Sequence, residues 1–176
     1  MNKGNWLKDF EEFMSSDSAP VPTDISKGVQ ARIGKLMNPS SWTVFFKILG
    51  VHSVVGVFSM AVCHQFEMNP FNTSFSLADW FMHVGGHNLC MLGCGFFFIA
   101  TGIGVSGYFL TIEEIRALRR TEFPQTFALG IASIALFAAF GAELALTFTG
   151  LWLLGGLVGG YLATEVLWKI KTIQVA

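Results

Sequence analysis

Four side chains that can bind metals or undergo redox chemistry recur at helical spacing in the segment 80–95. His83, His87, Cys90 and Cys94 follow one another at intervals of four, three and four residues. An α-helix turns by about 100° per residue, so the four positions fall within roughly 60° of one another. The spacing predicts one stripe of imidazole and thiol groups, set among apolar residues near the mouth of a membrane-spanning helix.

The preceding apolar segment predicts a second, facing stripe. His52 and Cys63 are eleven residues apart, which is about three helical turns, so they share a face. If the two segments cross a membrane in opposite directions, Cys63 and His64 come level with the two histidines of the first stripe. His52 lies deeper, level with Cys94. The predicted metal ligands are therefore His52, Cys63, His64, His83, His87, Cys90 and Cys94.

These residue types are compatible with several kinds of site. Imidazole and thiolate suit zinc, nearby methionine favours copper(I), and two imidazoles from neighbouring helices suit a haem b. Cys63 could also form a reversible disulfide with Cys90 or Cys94. Alternatively, the cysteines are small core residues and the histidines are hydrogen-bonded to the backbone or to acids such as Glu67 and Asp79. Neither H-E-x-x-H nor C-x-x-C spacing is present, so we expect no enzyme.

The composition is that of a membrane protein. Of 176 residues, 52% are apolar and only 13% are charged, whereas a soluble domain of this size needs more charge on its surface. The apolar residues form blocks of about 20 residues or more, the length that crosses a bilayer. We therefore expect an all-α integral membrane four-helix bundle in residues 42–176, preceded by an amphipathic cytosolic tail in residues 1–41. The expected spans are about 43–63, 81–108, 127–147 and 151–168.

The distribution of positive charge predicts an orientation. With the amino terminus inside, all 11 Lys and Arg residues lie on one side of the membrane or at its edge. The positive-inside rule makes that side cytoplasmic. We expect both termini in the cytoplasm, with the protein in a bacterial inner membrane and in contact with its lipid.

The amino-terminal residues show the pattern of two short amphipathic helices, one acidic and one basic. About 40 residues cannot build a core of their own, so their apolar faces must be buried against something else. The faces pack on each other, lie on the membrane surface, or dock on a cytosolic partner. The predicted partner-binding residues are Trp6, Leu7, Phe10, Phe13, Ile25, Val29 and Ile33.

Residues 5–40, which lead directly into the first span, resemble membrane-anchored anti-sigma factors. In that family short amphipathic helices hold a cytosolic sigma factor until a signal arrives, so the resemblance implies a protein partner and no direct contact with nucleic acid. The H-x-x-x-C-x-x-C zinc pattern of one anti-sigma branch is absent from residues 1–41.

The function expected from these features is that of a membrane sensor and regulator. Metal binding or oxidation at the His/Cys cluster would change how the first two spans pack and so change partner binding by the tail. The alternatives are a small transporter or carrier of a soft metal, and a haem or thiol-redox membrane subunit. Glycine-rich helix faces at 102–107 and 155–160 are expected to pack helices together and would permit a homo-oligomer.

Overall fold

The structure is a computed structural model that describes residues 5–15, 22–66 and 68–175. The described residues form helices joined by short connections and contain no strand, only an isolated bridge between Gln65 and Met68. The helices are α1 (Asn5–Ser15), α2 (Thr23–Met37), α3 (Ser41–Ser59), α4 (Leu77–Ser106), α5 (Ile112–Arg120), α6 (Glu122–Ala139) and α7 (Leu146–Val175).

Four of these helices are long and apolar enough to cross a membrane. They are α3, α4, α6 and α7, with mean hydropathies between 1.3 and 1.9. The chain is thus an all-helical membrane protein, as its composition predicts. The helix bounds differ from the predicted spans most at α6 and α7. α6 runs from Glu122 to Ala139 where the prediction was 127–147, α7 runs from Leu146 to Val175 where it was 151–168, and α4 begins four residues early at Leu77.

The chain divides into two compact units, Met1–Leu36 and Met37–Ala176. The first contains α1 and most of α2, where the sequence predicts two short helices. Of the predicted partner-binding side chains, Phe10 (52%), Ile25 (59%), Val29 (51%) and Ile33 (48%) are solvent-exposed. The side chains of Trp6, Leu7 and Phe13 lie outside the described residues.

The expected spans leave 109–126 and 148–150 as connections, and both are different in the structure. The charged segment 111–125 contains α5, which begins with a capping box between Thr111 and Glu114. Residues 148–150 lie inside α7, and the chain instead reverses at 140–145, where Gly141 has a φ of 88°. Glycine is tolerated within membrane helices, so Gly150 did not mark a helix end.

In the second unit, α4 packs most extensively along α7, and glycines allow their backbones to meet. A Cβ built on Gly95 would collide with the carbonyl of Trp152, and one on Gly155 would collide with the carbonyl of Leu92. Close approach through glycine stabilises helix pairs where lipid offers no hydrophobic driving force. This confirms the packing role predicted for the glycine run of α7.

Charged side chains join the helices at the end where α5 lies. Lys47 of α3 pairs with Glu114 of α5. Arg119 of α5 makes two hydrogen bonds, of 2.6 and 3.1 Å, to Glu165 of α7. Arg119 also lies over the ring of Trp168, 5.5 Å from its centroid. These contacts link α5 to α3 and α7 and fix that end of the unit.

Candidate functional site

The chain after α3 carries Cys63, Gln65 and Phe66 into the interior, whereas much of the rest of the connection to α4 is exposed. α3 ends at Ser59, whose carbonyl accepts a 2.9 Å hydrogen bond from the Cys63 N–H. Val62 accepts one of 2.7 Å from Leu77 at the start of α4. Ser76 caps α4 by accepting from the N–H of Ala78 at 3.1 Å. Irregular backbone is stable within a membrane protein where other helices enclose it, and these bonds satisfy it here.

The three cysteines of the chain form one buried cluster. Cys63 and Cys94 have their Sγ atoms 2.9 Å apart, and Cys90 Sγ is 3.9 Å from Cys94 Sγ. All three are free thiols with 5% exposure or less. Cys90 and Cys94 lie one turn apart on α4, so a single helix face presents both to the incoming Cys63.

Gln65 holds the cluster in place from the connecting segment. Its side chain is fully buried, and its Nε2 donates to the Cys63 carbonyl at 3.1 Å. Its Oε1 accepts from the indole Nε1 of Trp152 in α7 at 2.7 Å. Neither Gln65 nor Trp152 was predicted as a site residue. The predicted fourth span placed Trp152 at a membrane interface, where tryptophan is common, whereas α7 begins six residues before it.

The hydrogen bond with Cys94 lowers the pKa of the Cys63 thiol below its ordinary value, although burial acts in the opposite direction. Cys63 lies in the connecting segment, just outside the helices that are long enough to span the membrane. The thiolate is the nucleophilic form of cysteine, so a lowered pKa favours reaction at Cys63.

The predicted stripe on α4 is interrupted between its two histidines. Gly85 (φ −143°, ψ 16°) and Gly86 (φ 67°, ψ −166°) have non-helical backbone angles. The four predicted positions therefore do not lie on one continuous helix, and the prediction of a single stripe was wrong at His83. His83 is exposed, whereas Cys90 and Cys94 are buried.

His52 belongs to a different part of the protein. Its ring packs edge-on against Phe98 with centroids 4.9 Å apart, and its Nε2 lies 3.1 Å from Ser133 Oγ. The His52 ring faces Gly102 of α4, where a Cβ would collide with it. The prediction set His52 level with Cys94, which is eight residues earlier on α4. The prediction was wrong because α3 ends at Ser59 and does not extend as one helix to Cys63.

His64 and His87 line the same cavity as the thiols, but the contacts of their rings are with other residues. His64 Nε2 is 2.9 Å from Thr73 Oγ1. His87 packs against Phe148 with centroids 4.1 Å apart. Among the described residues, no group of three or more His, Cys, Asp or Glu side chains is arranged to hold a metal ion. The seven predicted ligands therefore do not assemble as one set, and zinc, copper and haem b stay predictions.

Two adjoining cavities lead to the thiols. One of about 220 Å³ is lined by Cys90, Cys94 and the thioether of Met82. A second, of about 660 Å³, includes Glu143 and Phe148. Three residues line both cavities and separate them: Phe66, His87 and Met91. A small molecule in the larger cavity is thus one layer of side chains away from the sulfur atoms, while Cys63 lies behind Cys94.

Comparison of the chain with protein-family models, with curated proteins and with solved structures finds no match. The functional argument therefore depends on the geometry of the thiol cluster and its cavities.

Proposed function

We propose that the protein is a membrane-embedded regulator in which oxidation of Cys63 and Cys94 changes the binding of a cytosolic partner by the amino-terminal helices. The observation that carries the proposal is the 2.9 Å separation of the two sulfur atoms, with a third thiol 3.9 Å away. A disulfide requires an S–S distance of about 2.0 Å. The pair therefore needs only a small displacement, which the 60–76 connection can provide.

A small hydroperoxide is the class of oxidant that fits the cavity. Cys94 lines the cavity. Its thiol gives its proton to the Cys63 thiolate and its sulfur attacks the peroxide oxygen, the O–O bond breaks, and Cys94 becomes a sulfenic acid as an alcohol or water leaves. Cys63 then attacks the Cys94 sulfur and gives up that proton, the S–S bond forms, and the hydroxide leaves with the proton as water. Two thiols lose two electrons and the peroxide gains them. Thiol–disulfide exchange with a cellular dithiol reverses the reaction.

The disulfide would tie the 60–76 connection to α4. This connection continues directly from α3, and α3 is separated from α2 by only three residues, 38–40. A change in how α3 packs on α4 can therefore be transmitted to α2 through this short connection. Two arrangements of a packed helix pair, each favoured by one redox state, are sufficient for a switch.

The apolar faces of α1 and α2 support a protein partner. Phe10, Ile25, Val29 and Ile33 are about half exposed, and exposed apolar stripes on amphipathic helices are typical docking elements. A cytosolic sigma factor is the partner that the resemblance of residues 5–40 suggests, and Trp6, Leu7 and Phe13 stay predicted binding residues for it.

We further propose that residues 42–176 form a four-helix bundle in a bacterial inner membrane, with both termini in the cytoplasm. Every Lys and Arg of this region lies in 47, 116–120 or 169–171, and the ion pairs of Lys47 and Arg119 involve α5. The connections 60–76 and 140–145 contain no Lys or Arg. Under the positive-inside rule the end with α5 is cytoplasmic, and the thiols are nearer the oxidising side.

Purification of the full-length protein from reduced and oxidised membranes tests this proposal. Co-purifying cytosolic proteins are quantified by mass spectrometry. We expect the retained amount of one partner to change by about fivefold or more, the lower end of ordinary allosteric coupling. Cys63→Ser should abolish the response, and Cys90→Ser should keep it. Equal retention in both redox states of the wild type, or a response that persists in Cys63→Ser, would contradict the proposal.

A second candidate function is a carrier of a soft metal. It is favoured by the thioethers of Met82 and Met91, which line the thiol cavity together with Cys90 and Cys94, because thioether and thiol ligands select copper(I). Copper uptake into vesicles containing the purified protein separates the candidates. Uptake that Cys94→Ser abolishes would support a carrier, whereas no uptake above empty vesicles would exclude it.

A further inference from the structure

A groove between α4 and α7, at the end of the molecule where α5 lies, is separate from the thiol site. Its volume is about 550 Å³, within the range of about 300–1,000 Å³ of ordinary ligand pockets. Its walls are almost entirely apolar and include the side chains of Leu162, Val166 and Ile170, which are about half exposed. On a membrane-spanning helix such side chains face lipid, so the groove opens onto the bilayer.

Gly104 of α4 lines the groove and leaves it open, because it has no side chain. Most glycines between these helices are required for close packing: a Cβ on Gly107 would collide with Leu167, and one on Gly159 would meet the backbone of Phe96. A Cβ on Gly104, in contrast, has no atom within 4 Å. The space next to Gly104 is therefore unfilled by the protein, and a larger residue there would occupy the groove without disturbing the helix contact.

One end of the groove is polar and positively charged. It is formed by Lys171 and Gln174 near the end of α7 and by Tyr108 after α4. Lys47, Arg116 and Arg119 at this end each pair with a carboxylate, whereas Arg120, Lys169 and Lys171 make no ion pair with any described carboxylate. Of these three cations only Lys171 lines the groove, where the residue is half-buried, so its charge is available to an anionic ligand.

We propose that this groove binds one anionic phospholipid, with an acyl chain against Gly104 and the phosphate at Lys171. An apolar groove that ends at a tyrosine and at a lysine paired with no described carboxylate matches the two parts of such a lipid. Lysine and tyrosine are typical of the membrane interface, where lipid phosphates lie. The inner leaflet, on which this end lies in the proposed orientation, is rich in anionic lipid.

Native mass spectrometry of the full chain, released from bilayers of equal phosphatidylglycerol and phosphatidylcholine, tests this proposal. We expect the wild type to retain phosphatidylglycerol in preference, and Lys171→Gln to reduce the preference by about fivefold, the effect expected of one lysine near an anionic surface. Lys169→Gln, next to it on exposed α7 surface, is the matched control. Gly104→Phe should remove bound lipid, whereas Gly50→Phe, at another glycine with open space, should not.

Equal retention of the two lipids by the wild type would overturn the proposal, as would a Lys171→Gln variant with unchanged preference. Gly104→Phe that converts a dimer to a monomer while leaving lipid retention unchanged would assign the groove to a second copy of this chain and would equally overturn it. None of these outcomes depends on the redox state of the cysteines, so the test is independent of the proposed regulatory function.

Discussion

At the scale of single residues, Gln65, which is not among the predicted ligands, contacts both Cys63 and α7. This fully buried amide bonds the Cys63 carbonyl and the Trp152 indole at once, so it fixes the connecting segment to α7. A buried polar group is stable only when its partners are present.

Gln65→Leu tests this role. The substitution leaves the Trp152 N–H without its acceptor in a buried position, which costs about 1–3 kcal/mol. We expect a lower melting temperature of the purified protein in detergent and slower closure of the Cys63–Cys94 disulfide. Gln30→Leu, the same change at an exposed position of α2, should melt as the wild type does. Equal melting of the Gln65→Leu variant and the wild type would show that Gln65 does not hold the segment.

At the scale of elements, the break in α4 sets which residues reach the thiol cavity. Gly86 has a φ of 67° and a ψ of −166°, a conformation that is essentially restricted to glycine. A Cβ at Gly86 has no atom within 4 Å, so any effect of a side chain there comes from the backbone alone.

We expect Gly86→Ala to lower stability by about 1–3 kcal/mol, because alanine is strained in this conformation. Gly50→Ala is a matched control, since Gly50 also has open space but lies in regular helix. We expect the Gly50→Ala variant to be as stable as the wild type or more stable by about 0.5–1 kcal/mol. Thermal unfolding of both variants in detergent measures the difference, and a Gly86→Ala protein as stable as Gly50→Ala would refute the strained break.

The short helix α5 has a pH-dependent attachment to α3. Burial raises the pKa of Glu114, but its hydrogen bonds with Lys47 and with the Thr111 N–H outweigh burial and hold the pKa below the ordinary value. The stabilising contribution of this carboxylate is therefore fully present above the ordinary glutamate pKa, and it is lost as the pH falls through the lowered pKa of the folded state.

Glu114→Gln should accordingly weaken the decrease in melting temperature on acidification. Glu113→Gln, on the same helix and paired with Arg116 instead, should keep the decrease seen in the wild type. The measurement is the melting temperature in detergent across the acidic range. Identical acid profiles for Glu114→Gln and the wild type would show that the Lys47–Glu114 pair does not couple α5 to α3.

The sequence predicts the helices of this protein better than its connections. The apolar blocks locate α3, α4, α6 and α7 because length and hydropathy are properties of one segment. The buried position of Gln65 depends on Trp152, a partner distant in the chain. Helix α5, in contrast, has a local signal in the T-x-x-E capping box of Thr111 and Glu114, which the predicted spans did not use.

Helical spacing correctly placed Cys90 and Cys94 on one face. It was wrong in setting Cys63 level with His83 and His87, since Cys63 lies against Cys94. It also placed His52 and His83 in the cluster incorrectly.

At the scale of the whole molecule, charge separates one end of the membrane region from the other. The ion pairs of Lys47 and Arg119 lie at the end with α5, and the connections at the opposite end contain neither Lys nor Arg. The proposed orientation, and with it the exposure of the thiol cavity to the outer side, depends on this asymmetry.

Fusions of alkaline phosphatase, which is active only outside the cytoplasm, test the orientation. We expect activity from fusions after Asn72 and Glu143, and none from fusions after Arg120 or Gln174. A fluorescent protein joined at the last two sites should fluoresce. The reverse pattern would place the thiol cavity on the cytoplasmic side and remove the proposed oxidising environment.

The central claim is that Cys63 and Cys94 form a reversible disulfide, and peptide mass spectrometry of the full chain tests it most directly. The protein is isolated from membranes treated with hydrogen peroxide, with or without later dithiothreitol. We predict a Cys63–Cys94 linked peptide after peroxide, its loss after dithiothreitol, and its formation to the same extent in Cys90→Ser. Three unmodified thiols after peroxide, or a link between Cys90 and Cys94 instead, would contradict the account.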